Sequence, residues 1–149
     1  MKKWLLILIS IAPVALFTLA LVLSPGPEER TAAKFQADRA ELERAAQEIL
    51  ALGSAEGVEI PGGWIEAALY RNGVHTVEFE LGSGGFASQT VYWGVNYVPS
   101  NSSFVGFQGQ RWDDWKPQGD GRLYYDPEGD NTCYVKLLDE YWYYYEMRF

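Results

Sequence analysis

An apolar run over residues 4–23, which contains no charged side chain, limits the fold of this chain more than any other feature. Lys2 and Lys3 precede the run. A helix rises about 1.5 Å per residue, so a run of this length spans about 30 Å, the hydrocarbon thickness of a bilayer. The run therefore predicts a transmembrane helix in contact with membrane lipid. Residues 1–3 are expected in the cytoplasm, since lysines beside a span stay inside. A hinge is predicted at 24–30.

The alternative interpretation of this run is a cleaved export signal, which would leave a secreted protein. The apolar part of a signal covers about 7–15 residues and ends at a cleavage site with small residues. Here apolar residues 21–23 continue past the one candidate site at 18–20, and a cut after Ser24 would precede Pro25. We therefore expect a signal anchor in the cell membrane, single-pass, with residues 31–149 as an extracytoplasmic domain.

The charge balance and the cysteine content restrict the function of that domain. The chain has 20 acidic and 12 basic residues, and two of the basic ones precede the apolar run. The remainder carries a net charge of −10, the wrong sign for binding phosphate backbones, so we expect no nucleic acid partner. Cys133 is the one cysteine and cannot form an intramolecular disulfide. We expect it to be a buried strand residue.

An amphipathic helix is predicted over 31–52, with Thr31 as its N-cap and Gly53 as its stop. One stripe of this helix is apolar: Phe35, Leu42, Ala45, Ile49 and Leu52. The other face offers three pairs of opposite charge at four-residue spacing: Lys34 with Asp38, Arg39 with Glu43, and Arg44 with Glu48. We favour packing of the stripe on a sheet over a short coiled coil.

From residue 64 onward the period of the apolar residues changes to alternation, which is typical of strands with one buried face. Asn72 and Gly73 predict a hairpin turn. The glycine cluster at 82–85 predicts a second turn, since no helix follows it as a phosphate loop would require. The fold class expected is therefore α+β, with the two helices followed by a meander-like antiparallel sheet of four to six strands over 64–149.

The sequence contains no recognisable catalytic constellation. His75 is the one imidazole, and its strand parity predicts a packed structural residue. Carboxylates and an amide in the loop after residue 119 are of the type that calcium binds: Asp120, Asp126, Glu128, Asp130 and Asn131. Their spacing does not match an EF-hand, so we favour solvated turns over a metal site. No cofactor is expected.

The aromatic content is the best indication of a binding surface. All 10 tyrosines and five of the 6 tryptophans lie from residue 64 onward. Aromatic rings beside carboxylates are suited to stacking on sugars or to anchoring a protein. The candidate ligand-binding residues are Trp112, Asp113, Asp114, Trp115, Trp142 and Tyr144. The alternative, which we favour, is that the helix and the long loops cover these rings.

Three stretches resemble a group of known proteins: TVYWGVNYVPS at 90–100, FQG at 107–109 and YWYYYE at 141–146. They are similar to small membrane-anchored proteins of unassigned function from Gram-positive gut bacteria, over about the last 80 residues. The resemblance implies an exported bacterial domain and brings no functional residue with it.

Three functional hypotheses follow. The first is a membrane-anchored binding or interaction module with a protein or glycan partner outside the membrane. The second is an envelope enzyme that acts on carbohydrates or peptides through carboxylates such as Glu78, Glu80, Asp113 or Asp114, which would have to converge on one cleft. The third is a structural subunit of a membrane complex, which would expose a large apolar patch.

Overall fold

The computed structural model describes residues 25–72, 74–86, 89–99 and 112–149. The predicted span at 4–23 lies outside these ranges. They contain one α-helix, α1 (Pro27–Leu52), one 3₁₀ turn (Trp112–Asp114) and seven strands. The strands are β1 (Glu66–Asn72), β2 (Val74–Phe86), β3 (Gln89–Tyr97), β4 (Lys116–Gln118), β5 (Gly121–Tyr125), β6 (Thr132–Asp139) and β7 (Trp142–Arg148). Within the described residues, no helix combines the length and apolarity needed to cross a membrane.

Helix α1 begins four residues before the predicted start. Pro27 occupies its first turn, where a missing N–H costs nothing, and the Gly26 N–H donates to the Glu29 carboxylate at 3.2 Å. Thr31 is therefore inside the helix and buried, with its hydroxyl donating to the Pro27 carbonyl at 2.7 Å. The predicted end is confirmed, because Gly53 has a φ of 69° and its N–H donates to the Ile49 carbonyl.

The seven strands form one antiparallel sheet in the order β1-β2-β3-β7-β6-β5-β4. The fold class is therefore α+β, as predicted. Two meanders, β1-β2-β3 and β4-β5-β6-β7, meet where β3 pairs with β7, which places Tyr97 opposite Trp142. This central pairing joins segments that are far apart in the sequence, so local sequence patterns do not predict it.

The predicted number of strands, four to six, was too low. The additional strand is β4, which comprises three exposed residues that pair with β5 and contain Pro117. Proline is tolerated there because β4 is an edge strand. The sequence did not predict β4 because this strand has no alternating apolar residues.

The predicted turn at 82–85 was also wrong. Strand β2 continues through these glycines to Phe86, with a bulge between Glu80 and Gly82. A Cβ at Gly82 would lie 2.7 Å from the Trp93 ring, so the glycine leaves room for the indole of the neighbouring strand. The glycine cluster is therefore part of strand β2, and the Trp93 ring packs against it.

The sheet buries side chains on both faces. Helix α1 packs on β2, β3 and β7, and the predicted stripe is buried except for Leu52, which is exposed. This first core contains Phe35, Leu42, Ala45, Ala46, Ile49, Val77, Phe79, Val95, Tyr97 and Trp142. The second core, on the opposite face, contains Val98, Trp115, Cys133, Val135, Tyr145 and Met147. Packing of the stripe on the sheet and burial of Cys133 are thus confirmed. The three predicted ion pairs of α1 also form.

Candidate binding site

The structure does not bring the six predicted ligand-binding residues together. Trp142 is 1% exposed at the centre of the first core, with its ring centroid 5.1 Å from Phe35 and 4.8 Å from Tyr97. Trp115 is buried in the second core, 5.7 Å from the Tyr124 ring. These two tryptophans support the sheet and are closed to a ligand.

The remaining candidates have different positions. Asp113 and Asp114 are exposed in the 3₁₀ turn, and the side chain of Trp112 lies outside the described set. Tyr144 is buried, but its ring forms part of the floor of a large open groove on the α1 side of the sheet. Of the six candidates, Tyr144 therefore remains at a site that a ligand can reach.

This groove, which we call the tyrosine groove, has a volume of ≈ 590 Å³. It lies over β5, β6 and the end of β7, beside the first turn of α1. Its lining residues are Glu28, Gln118, Gly119, Leu123, Tyr125, Thr132, Tyr134, Tyr144, Glu146 and Arg148. The groove exists because α1 packs on the other half of the sheet, on β2, β3 and β7, and leaves the β5 and β6 side chains of this face open.

Three tyrosine rings give the groove its shape. The rings of Tyr134 and Tyr144 meet edge to face with centroids 6.3 Å apart. Tyr125 is 58% exposed and contributes an accessible ring on β5. Two rings are thus fixed by packing and one is presented to solvent.

The charged side chains at the groove pair with one another. Lys136 donates to Glu28 and lies equally close to Asp120, at 2.6 Å from each. Glu146 accepts from the Tyr144 hydroxyl at 3.0 Å and from Arg148 at 2.5 Å. The polar groups left for a ligand are mainly uncharged: hydroxyl, amide and backbone.

The hydroxyls of Tyr134 and Tyr144 keep their protons at physiological pH. Burial, with the nearby charge of Glu146, raises the pKa of Tyr144. Burial, with the charges of Glu28 and Asp120, raises the pKa of Tyr134. Hydrogen bonds to Asp120 and Glu28 raise the pKa of Lys136, which stays charged. These three side chains therefore remain hydrogen-bond donors across the physiological pH range.

The acidic loop considered for calcium forms a local turn. The Asp126 carboxylate accepts from the Glu128 N–H at 3.0 Å, and Asp126 and Asn131 bond through their backbones. Asp120 pairs with Lys136 instead. No group of three or more histidine, cysteine or acidic side chains in the described ranges could hold a metal, so Asp126, Glu128 and Asp130 gain no support as a calcium site.

A smaller cleft of ≈ 190 Å³ lies on the sheet face opposite α1, and we call it the glutamate cleft. Its lining residues are Glu66, Tyr70, Glu78, Glu80, Tyr92, Met147 and Phe149. Two of the four carboxylates predicted for an enzyme, Glu78 and Glu80, thus meet in one cleft, whereas Asp113 and Asp114 are not among its lining.

Glu78 is the most perturbed acid of the cleft. Burial raises its pKa to about 8. The Tyr145 hydroxyl opposes this shift, the charges of Glu80 and Glu66 add to it, and the Tyr70 hydroxyl opposes it more weakly than Tyr145 does. The Tyr70 hydroxyl lies 3.5 Å from its carboxylate. His75, by contrast, is exposed near the hairpin end of β2, so the prediction of a packed histidine was wrong.

Sequence reasoning missed both sites as assemblies. Tyr125 and Tyr134 are alternating strand residues without distinctive neighbours, and Glu28 precedes the predicted helix. Glu66 was missed because only the β1–β2 register places it opposite Glu80. The sequence signal that could have indicated the glutamate cleft was the pair Glu78 and Glu80 on the polar face of one strand.

Comparisons with known proteins do not add a function. No protein family matches the chain, and no curated protein or solved structure is significantly similar to it.

Proposed function

We propose that this protein is a membrane-anchored binding module whose tyrosine groove holds a neutral polar chain such as a glycan. The observation that carries the proposal is the groove itself, in which accessible and fixed tyrosine rings lie beside hydroxyl and amide groups. Aromatic rings stack on the apolar faces of sugar rings, and the polar groups bind their hydroxyls.

The pairing of charges at the rim supports an uncharged ligand. A charged partner would have to compete with the contacts that Lys136 and Arg148 already make to carboxylates. Breaking such contacts leaves a charge without its partner, which costs free energy. Sugar hydroxyls can add to these groups without displacing them.

The predicted anchor favours a ligand close to the membrane. Glu28 on the groove rim lies five positions along the chain from the end of the predicted span at 23, with four residues between them. A chain of that length reaches at most about 18 Å. With the anchor retained, the groove opens near the outer surface of the lipid. Carbonate washing of membranes is expected to leave the full-length protein in the pellet, and release into the supernatant would contradict the anchor.

The test is binding of soluble oligosaccharides of glucose, mannose and N-acetylglucosamine to the full-length protein in detergent micelles. Binding is expected for at least one series and should persist at 0.5 M NaCl, since neutral contacts are not screened. Replacing Tyr125 by alanine should weaken it about tenfold. Phe86→Ala is the matched control, because Phe86 is 90% exposed and is not part of the groove.

A protein partner is the competing occupant of the groove. If a charged peptide binds in a salt-sensitive way and no oligosaccharide binds, the glycan proposal is wrong and the ligand of the groove is a peptide. The enzyme and structural-subunit hypotheses remain predictions, and the first of them has Glu78 and Glu80 in its favour.

A further inference from the structure

A second open cavity continues the tyrosine groove towards β3. It has a volume of ≈ 530 Å³ and shares Arg148 with the lining of the groove. Its other lining residues include Gly85, Gln89 and Val91 of the β2–β3 hairpin. Val91 is the direct cross-strand neighbour of Arg148, so both side chains lie on the α1 side of the sheet. The two cavities, which we together call the extended groove, therefore border each other at Arg148 and lie on one face from β5 to β3.

Trp93 lies on the same face and belongs to neither core. Its cross-strand neighbour on β7 is Glu146, which lines the tyrosine groove, so the two side chains point to the same side of the sheet. Further along β3, Val95 and Tyr97 are buried in the first core. Trp93 is partly exposed and is a member of neither the first nor the second core. Its ring is therefore accessible at the β3 end of the extended groove.

The Trp93 ring rests on two glycines of β2. A Cβ at Gly82 would lie 2.7 Å from Cζ2 of the indole, and a Cβ at Gly84 would lie 3.4 Å from Cζ3. The two glycines are two residues apart on one strand, so the ring must lie along β2 to approach both. With one face against the glycine backbone, the ring presents its other face away from the sheet. This is the orientation in which an aromatic ring stacks on a sugar.

Glu146 lies between the aromatic rings at the two ends of the extended groove. It is directly opposite Tyr134 on β6 and directly opposite Trp93 on β3. A carboxylate has about four acceptor positions. The Tyr144 hydroxyl and two Arg148 nitrogens donate three hydrogen bonds to it, which fix its orientation. The carboxylate is thus held in place where it can accept a further hydrogen bond from a sugar hydroxyl.

We propose that the extended groove binds a linear, unbranched glycan of about four sugar units, which crosses the strands from Tyr125 on β5 to Trp93 on β3. This inference rests on the glycan proposal and specifies its ligand. Neighbouring strands lie about 4.8 Å apart, so the three spacings from β5 to β3 cover about 14 Å, and the Trp93 ring extends the surface over β2. A sugar unit advances an extended glycan by nearly the same distance as one strand spacing. Trp93 is the stacking residue for the last unit.

The test is calorimetric titration of the full-length protein in micelles of a detergent without a sugar head group. The ligands are cello-, manno- and chito-oligosaccharides, each from the disaccharide to the hexasaccharide. In a series that binds, affinity should rise about tenfold from the disaccharide to the tetrasaccharide, because the longer chain also contacts Trp93. It should then stay level, because further units pass beyond this ring. Equal affinities of the disaccharide and the tetrasaccharide would overturn the extended site.

Variants of β3 test the role of Trp93. Trp93→Leu keeps an apolar cover on the glycines but removes the stacking face, so it should weaken tetrasaccharide binding about tenfold and leave disaccharide binding unchanged. Trp93→Phe should restore most of the affinity. Tyr92→Leu is the matched control, because the neighbouring side chain on the same strand points to the opposite face. Tyr125→Ala should weaken binding of both lengths.

The outcomes separate this inference from the glycan proposal. If no oligosaccharide of any length binds, both are wrong. If the disaccharide binds and Trp93→Leu binds the tetrasaccharide as tightly as the wild type does, the extended site is wrong and the glycan proposal stands. Val91→Arg places a large side chain in the second cavity and provides a test that leaves Trp93 intact. It should weaken tetrasaccharide binding alone, and unchanged affinity would overturn the path of the glycan across this cavity.

Discussion

The ammonium group of Lys136 on β6 lies 2.6 Å from the carboxylate of Glu28 in the first turn of α1. The same ammonium lies 2.6 Å from Asp120, in the turn between β4 and β5. One side chain thus joins the start of the helix to the half of the sheet that the helix does not cover. One of its two partners, Glu28, lines the tyrosine groove.

The first prediction concerns this contact. Lys136→Met should lower the free energy of unfolding by about 1 kcal/mol, because Glu28 and Asp120 lose their shared cation while both remain partly or largely solvated. A double-mutant cycle of Lys136→Met with Glu28→Gln, followed by urea denaturation, should give a coupling of about 0.2–1 kcal/mol. The Arg44 and Glu48 pair provides the matched surface control. A coupling of zero would mean that the contact does not fix the helix start.

The second prediction concerns the glycines under Trp93. Gly82→Ala should destabilise the protein by about 1–3 kcal/mol, because the new Cβ would lie 2.7 Å from the indole. Gly84→Ala should cost much less, since its Cβ would meet the same ring at 3.4 Å. Thermal unfolding measures both. Adding Trp93→Leu should rescue Gly82→Ala in part, and equal effects of the two alanine variants would contradict the packing.

The third prediction separates a core residue from a binding residue. Trp142→Ala should lower the free energy of unfolding by about 3–5 kcal/mol, because it leaves a cavity among Phe35, Phe79 and Tyr97. Tyr125→Ala should cost less than about 1 kcal/mol, since its ring is mostly exposed. Urea denaturation of both variants measures the two changes in the free energy of unfolding. A mild effect of Trp142→Ala would return this tryptophan to the binding candidates.

The fourth prediction concerns the pH dependence of the free energy of unfolding that results from Glu78. Its pKa is about 8 in the folded protein against an ordinary value of 4.5, so the folded state holds the proton more tightly. The resulting stabilisation is complete below pH 4.5 and is lost as the pH rises through 8, at up to about 1.4 kcal/mol per pH unit. The titratable groups facing Glu78 are Glu66, Tyr70, Glu80, Cys133 and Tyr145.

Denaturation at several pH values measures this effect. In Glu78→Gln the side chain is neutral throughout, so the decline in stability between pH 5 and pH 8 should be shallower than in the wild type. Glu48→Gln should decline as the wild type does. Identical slopes for the wild type and Glu78→Gln would show that the buried carboxyl titrates normally.

Local signals in the sequence were sufficient for the elements themselves. The stripe from Phe35 to Ile49 predicted the helix and its buried face, because a 3.6-residue period allows only one face to be apolar. Alternation predicted β2, β3 and β7, and the spacing of Lys34 and Asp38 predicted their contact. The helix start was missed because Gly26 and Pro27 resemble a hinge as much as a cap.

The sequence by itself determined the acidic α+β domain, its helix, most of its strands and the buried position of Cys133, since each depends on neighbours within a few residues. Only the tertiary structure decided which strands meet and which faces stay open. Pairing of β3 with β7 and of Glu66 with Glu80 depends on the register between strands, and the tyrosine groove depends on where α1 ends its contact with the sheet. Such long-range contacts leave no periodic trace in the chain, which is why both sites became visible only in the folded protein.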